Sequence, residues 1–198
     1  MAVWRKQTGS RRGEGMRGRQ LRELRDGLIQ ELALDRSATT ETVCIRLCEV
    51  VANRLQRPIY LRFQPLGDVL SGVSAMGQDG AYAVLVTTAR SWTHRVLILL
   101  HELAHMLCGH QHIVLNTQEA DQLLHPDLSE ETLTVIAQRT VWSNADEHEA
   151  EHVAGVLMQG LLDWAHQQDI EPFRPADDDR VAGVWHMLIF NPKRDSHE

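Results

Sequence analysis

Apolar residues recur at helical spacing along most of this chain, and only in one region does the spacing change to strict alternation. In "TTETVCIRLCEVVANRLQRP", Val43, Leu47, Val50, Val51 and Leu55 line one side of a helix that Thr39 or Thr40 caps and Pro58 ends. An earlier helix is predicted from about Met16 to Leu34, with Gly27 as its weak point. Alternation begins at "PIYLRFQPL", where Ile59, Leu61 and Phe63 fall on one face of a strand. It continues through "SGVSAMGQDGAYAVLVTTA", two β-rich runs around Gln78-Asp79-Gly80 that predict a hairpin. Next comes "SWTHRVLILLHELAHML", a helix that Ser91 or Thr93 can cap. Its run of Val96, Leu97, Ile98, Leu99 and Leu100 is apolar on nearly every side, which places it in the core. Residues 109–128 read as polar and irregular, closed by His125-Pro126. "SEETLTVIAQRT" reads as a short helix, and Asn144 or Asp146 opens a longer one, "DEHEAEHVAGVLMQGLLDWAHQQ". A last helix is predicted in "DDDRVAGVWHMLIF", before Pro192. The expected class is α+β: a helix-rich single domain with one small antiparallel sheet.

Composition narrows this picture. With 198 residues and 43% hydrophobic content the chain can bury one sizeable core. We expect that domain over residues 21–190, between a basic N-terminal tail at 1–20 and a short C-terminal tail at 191–198. Residues 1–25 hold eight basic and two acidic side chains; the rest holds 12 against 25, a balance of −13. An acidic body argues against specific nucleic-acid binding by the core domain. No apolar stretch approaches the roughly 18 residues that span a bilayer, and no export signal follows Arg11-Arg12, so a cytoplasmic location with no membrane partner is expected. The three cysteines, Cys44, Cys48 and Cys108, then read as reduced thiols that fill core space. Trp92, Trp142, Trp164 and Trp185 read as core or interface anchors, and the histidines outside the motif below as solvent-facing or structural.

Candidate chemistry is concentrated at "HELAHMLCGH", residues 101–110. Helix positions four apart differ by about 40° in direction, so His101 and His105 project side by side and can hold one ion through neutral imidazoles. Glu102 points about 100° away from His101, beside the metal but outside its ligand set, where a general base has to stand. A catalytic zinc needs a third protein ligand. The spacing HExxHxxGxxH would require Gly at 108 and His at 111, but those positions are Cys108 and Gln111. A glutamate from a later helix is the other solution, and "DEHEAEHVAGVLM" offers Glu147, Glu149 and Glu151. With Ala150, Val153, Ala154, Leu157 and Leu161 as the inward face, Glu147 lies about 60° from its centre and the other two about 100°. Helical phase therefore favours Glu147, and the small Ala150 and Ala154 allow a close helix pair.

Taken together, "VLILLHELAHML" and "EHEAEHVAGVLM" resemble the two motifs of the ImmA/IrrE family of metallopeptidases. The resemblance spans roughly residues 40–160, and the ordered pair is far more specific than either motif alone. It implies a zincin-like active-site helix, one zinc ion per chain held by His101, His105 and Glu147, and Glu102 as catalytic base. It also implies a zinc-dependent endopeptidase that cleaves a regulatory protein, such as a helix-turn-helix repressor, or acts within a toxin–antitoxin-type pair. The alternative of another class is a non-catalytic zinc-binding regulator or interaction module on the same fold.

Overall fold

The computed structural model describes residue 16 and residues 18–67, 70–123, 130–139 and 142–170. Its elements in chain order are α1 (Gly18–Leu32), α2 (Thr40–Leu55), β1 (Ile59–Gln64), β2 (Gly72–Gly77), β3 (Tyr82–Thr87) and α3 (Trp92–Cys108). There follow β4 (Val114–Leu115), α4 (Thr117–Leu123), α5 (Glu130–Arg139) and α6 (Asn144–Gln167). The basic segment up to residue 15, the last predicted helix and the C-terminal tail lie outside the described residues. No helix among the described residues is long and apolar enough to cross a membrane.

The class is α+β, helix-rich with a four-stranded sheet in the order β1-β3-β2-β4. The sheet is mixed, which corrects the expectation of an antiparallel one. β2 and β3 do form the antiparallel hairpin, but β1 lies parallel to β3 and β4 parallel to β2. Alternation of apolar and polar residues is the same in either direction, and β3 stands between β1 and β2, which are consecutive in the chain. The pattern along the chain carries no record of that order.

Both faces of the sheet are covered. On one face Ile59, Leu61, Val84 and Val86 join the main core with α1, α2, α3 and α6. On the other, Val73, Ala75, Ala83 and Leu85 pack with Leu115, with Leu123 of α4 and with Leu133 and Ile136 of α5. Successive side chains of β3 thus enter different cores, as period-2 geometry requires. β4 and α4 fall inside the stretch read as irregular; elements of two and seven residues are too short to leave a periodic signature.

The main core is built around the packing of α6 on α3 and on α1. Leu99, Leu100 and Leu103 of α3 and Leu157 of α6 are fully buried, each stabilising the fold by roughly 1.5–3 kcal/mol. Ala150 and Ala154 are also buried, which brings the two helices close. α3 begins at its cap Ser91, and α2 at Thr39, whose side chain accepts from the Thr42 backbone N–H. The cap of α6 is Ser143, ahead of both expected openers, Asn144 and Asp146, and it forms a reciprocal capping box with Asp146. Two residues of the apolar run in α3 depart from the all-buried expectation: Leu97 is 40% exposed and Ile98 only partly buried, because their side of the helix borders a cleft rather than the core.

Candidate metal centre

α3 and α6 bring His101, His105 and Glu147 together, with one donor atom from each inside a sphere of mutual distances below 4.8 Å. The Nε2 atoms of His101 and His105 converge to 3.1 Å. Glu147 Oε2 lies 3.3 Å from His101 Nε2 and 3.9 Å from His105 Nε2. The first turn of α6 carries Glu147 to this point, and the Ser143–Asp146 box holds that turn, a contribution of about 1 kcal/mol. These residues can hold a metal ion.

His105 is the most constrained of the three and has no exposed surface. Trp142, just ahead of the α6 cap, stacks flat on its imidazole, with ring centroids 3.5 Å apart and planes at 13°. The indole Nε1–H donates to the backbone carbonyl of Gln111, which fixes the stacking ring. His112 rests edge-on against Trp142 and Tyr82, and its Nδ1–H donates to the carbonyl of His110. Burial first, then the neighbouring His101, His110 and His112, push the His105 imidazole down to about 3. It is therefore neutral, with a ring nitrogen free to donate a lone pair.

His110 reaches His105 from the opposite edge, Nδ1 to Nδ1 at 2.9 Å. The chain returns there because Gly109 closes α3 in the left-handed conformation (φ 75°), which a side chain would strain. His110 Nε2 then lies 3.3 Å from Glu149 Oε2, so the glutamate that helical phase turns away from the His101–His105 pair engages a different histidine instead. Cys108, His110 and Glu149 form a second group with donor atoms in mutual reach. Burial, then the charges of Glu149 and Asp146, push the Cys108 thiol up to about 12. Cys44 and Cys48 are fully buried, away from either group, as packing residues.

Glu102 is buried beside the donors. The Ser74 hydroxyl donates to its Oε2 at 2.6 Å. Desolvation raises its carboxyl to about 7, against the lowering effect of the Ser74 hydrogen bond, and the charge of Glu147 adds to the rise. Ser74 faces α3 because β2 alternates, with Gly72 next to it on the same face. A Cβ at Gly72 would come within 2.5 Å of Ile98 Cγ2 and 3.1 Å of Glu102 Oε1. Gly72→Ala is thus expected to push β2 from α3 and lower stability by about 1–3 kcal/mol. Chemical denaturation measures this, and a variant as stable as the wild type would contradict the close approach.

The front of the site is open. A cleft of about 470 Å³ is lined by Ser71, Leu97, Ile98, His101, Glu102, Glu151, Ala154 and Gly155. Comparisons with protein-family models, characterised proteins and solved structures give no match to this chain.

Of the four residues singled out in the sequence, three share a donor cluster and the fourth, Glu102, shares the cleft with His101. Ser74, Trp142, His110 and Glu149 were not among them. Trp142 was readable only as an anchor, although its position just ahead of the helix that carries Glu147 is a signal that it could reach the same site. Alternation in β2 hints that Ser74 faces a helix, but not which residue it meets.

Proposed function

We propose that this chain is a zinc-dependent endopeptidase in which His101, His105 and Glu147 hold one zinc ion and Glu102 handles the proton. The observation that carries this reading is the convergence of three donor atoms on an open cleft, with a buried carboxyl group beside them. Zinc–nitrogen and zinc–oxygen bonds of about 2.0–2.1 Å at tetrahedral angles put ligand atoms about 3.3 Å apart. The separations of 3.1 and 3.3 Å fit that figure, and the third, 3.9 Å, asks only a small shift of the Glu147 side chain. Three protein ligands with an open side is the pattern of a catalytic site; closed sites use four. Bound there, zinc would polarise a peptide carbonyl and lower the pKa of water.

The residues of the chain divide the remaining work. Glu102, positioned by Ser74, accepts a proton from the attacking water and returns it to the leaving amine. Leu97 and Ile98 give the cleft an apolar wall for a substrate side chain. β4 pairs with β2 only at Met76 and Gly77, which leaves residues 72–75 of that edge, among the described residues, for an extended peptide. The motif resemblance to the ImmA/IrrE family extends the reading to limited cleavage of a regulatory protein, such as a helix-turn-helix repressor or an antitoxin, inside the cell.

Metal analysis of the purified chain, joined to a cleavage assay on a candidate repressor, tests this. About one zinc per chain and chelator-sensitive cleavage are expected. A protein that neither contains zinc nor takes it up would overturn the assignment, whereas zinc without cleavage of any partner would favour the non-catalytic regulator.

A further inference from the structure

The group Cys108, His110 and Glu149 lies against the donor cluster, and its atoms have two possible uses: a second ion, or support of the first. Proton inventory separates them. An imidazole that binds an ion through Nε2 in its neutral form carries its proton on Nδ1. His105 turns Nε2 towards His101 and Nδ1 towards His110 Nδ1, 2.9 Å away. When His105 is a ligand, its Nδ1–H donates to His110 Nδ1, which is then the bare, accepting nitrogen. The one proton of neutral His110 is left on Nε2, where Glu149 Oε2 accepts it at 3.3 Å. A protonated Nε2 has no lone pair for a metal. Filling both groups at once would set two N–H bonds against each other across 2.9 Å, or require His110 to lose both protons.

We propose that His110 and Glu149 form a positioning relay for the metal ligand His105, and that occupancy by His101, His105 and Glu147 excludes a second ion at Cys108, His110 and Glu149. The inference rests on the zinc reading above and adds to it the residues that orient and strengthen a ligand. The far end of the relay is tied down: Glu149 Oε1 accepts the Met16 backbone N–H at 2.7 Å, leaving Oε2 for the histidine. Asp146 Oδ1, 3.6 Å from His110 Nε2, adds a second negative charge on the same side. His110 is itself only 5% exposed in its side chain, so water does not compete freely for its nitrogens. A carboxylate that draws on the His110 proton makes Nδ1 a better acceptor, which in turn makes His105 Nε2 a better donor to the ion.

Chelator-competition titration of the full chain with zinc tests the relay, alongside nitrogen NMR of the imidazoles in the zinc-loaded protein. His110→Ala is expected to weaken zinc binding about 10–100-fold. His110→Asn should recover most of that loss, because its carbonyl oxygen can stand near the Nδ1 position and accept the His105 proton. Glu149→Gln should weaken binding less than His110→Ala, and Cys108→Ser should change neither affinity nor the count of about one zinc per chain. The spectra should show His105 as the Nδ1–H form and His110 as the Nε2–H form, a readout on the wild type that holds even if a variant fails to fold. A second zinc that disappears in Cys108→Ser, or His110 in the Nδ1–H form, would overturn the proposal. Zinc affinity unchanged in His110→Ala but lost in His101→Ala would remove the relay and leave the zinc site standing. A wild type that binds no zinc would remove both.

Discussion

His105→Ala is expected to empty the metal site, with zinc affinity falling by well over a hundredfold. Structural zinc sites bind with roughly 10–16 kcal/mol across four ligands, so one ligand is worth about 2.5–4 kcal/mol. His105 should sit at the upper end. Its imidazole is held on one face by Trp142 and on its Nδ1 edge by His110, so little conformational freedom remains to be lost when an ion binds. His101, with a quarter of its side chain exposed, and Glu147, with two fifths, are less restrained. Their alanine variants should also lose zinc, Glu147→Ala by at least about tenfold. Plasma emission or mass spectrometry of the purified variants, followed by chelator competition, gives the order. Full zinc occupancy in His105→Ala would rule out the assigned ligand set.

Glu102→Gln should separate chemistry from binding more sharply than any other substitution. The amide has the shape of the carboxyl group, and its carbonyl can still accept from the Ser74 hydroxyl, so the cleft and its donors stay in place. What disappears is the proton acceptor. A positioned general base contributes about 10²–10⁴-fold, and cleavage should fall by at least that factor while zinc content stays near one per chain. Stability should hold or rise, because a charge buried at this depth is costly and the amide carries none. Cleavage at the wild-type rate would show that another group moves the proton. A drop in zinc content would show that Glu102 acts on the ligands instead.

Much of this architecture is legible in single stretches of sequence. α2, α3 and α6 follow from spacing and caps, and the β2–β3 hairpin from its turn residues. The face of α6 that phase turns inward, Ala150, Val153, Ala154, Leu157 and Leu161, is the buried one, and Glu147 reaches the two histidines from its flank. What was not legible joins distant elements. The parallel pairing of β1 with β3, the hydrogen bond from Ser74 to Glu102 and the stack of Trp142 on His105 are each decided by which surfaces meet. Neither partner carries a local mark of the other. Leu97 makes the same point in reverse: an apolar residue in an apolar run is read as core, and only the shape of the neighbouring helix makes it the wall of a cleft.

The division of the donors between α3 and α6 has a consequence for the newly made protein. A ribosome moving along this message completes α1, α2, the hairpin and α3 well before it reaches Trp142 and Glu147. Through that interval His101 and His105 exist without their third partner and without the ring that stacks on one of them. The leucines of α1 and α3 that α6 will cover are also still open to solvent, a state prone to aggregation and suited to capture by holding chaperones. The helix that shelters the core is the same one that completes the donor set. The cover of the core and the third donor of the cluster therefore arrive together, with the last described helix to leave the ribosome.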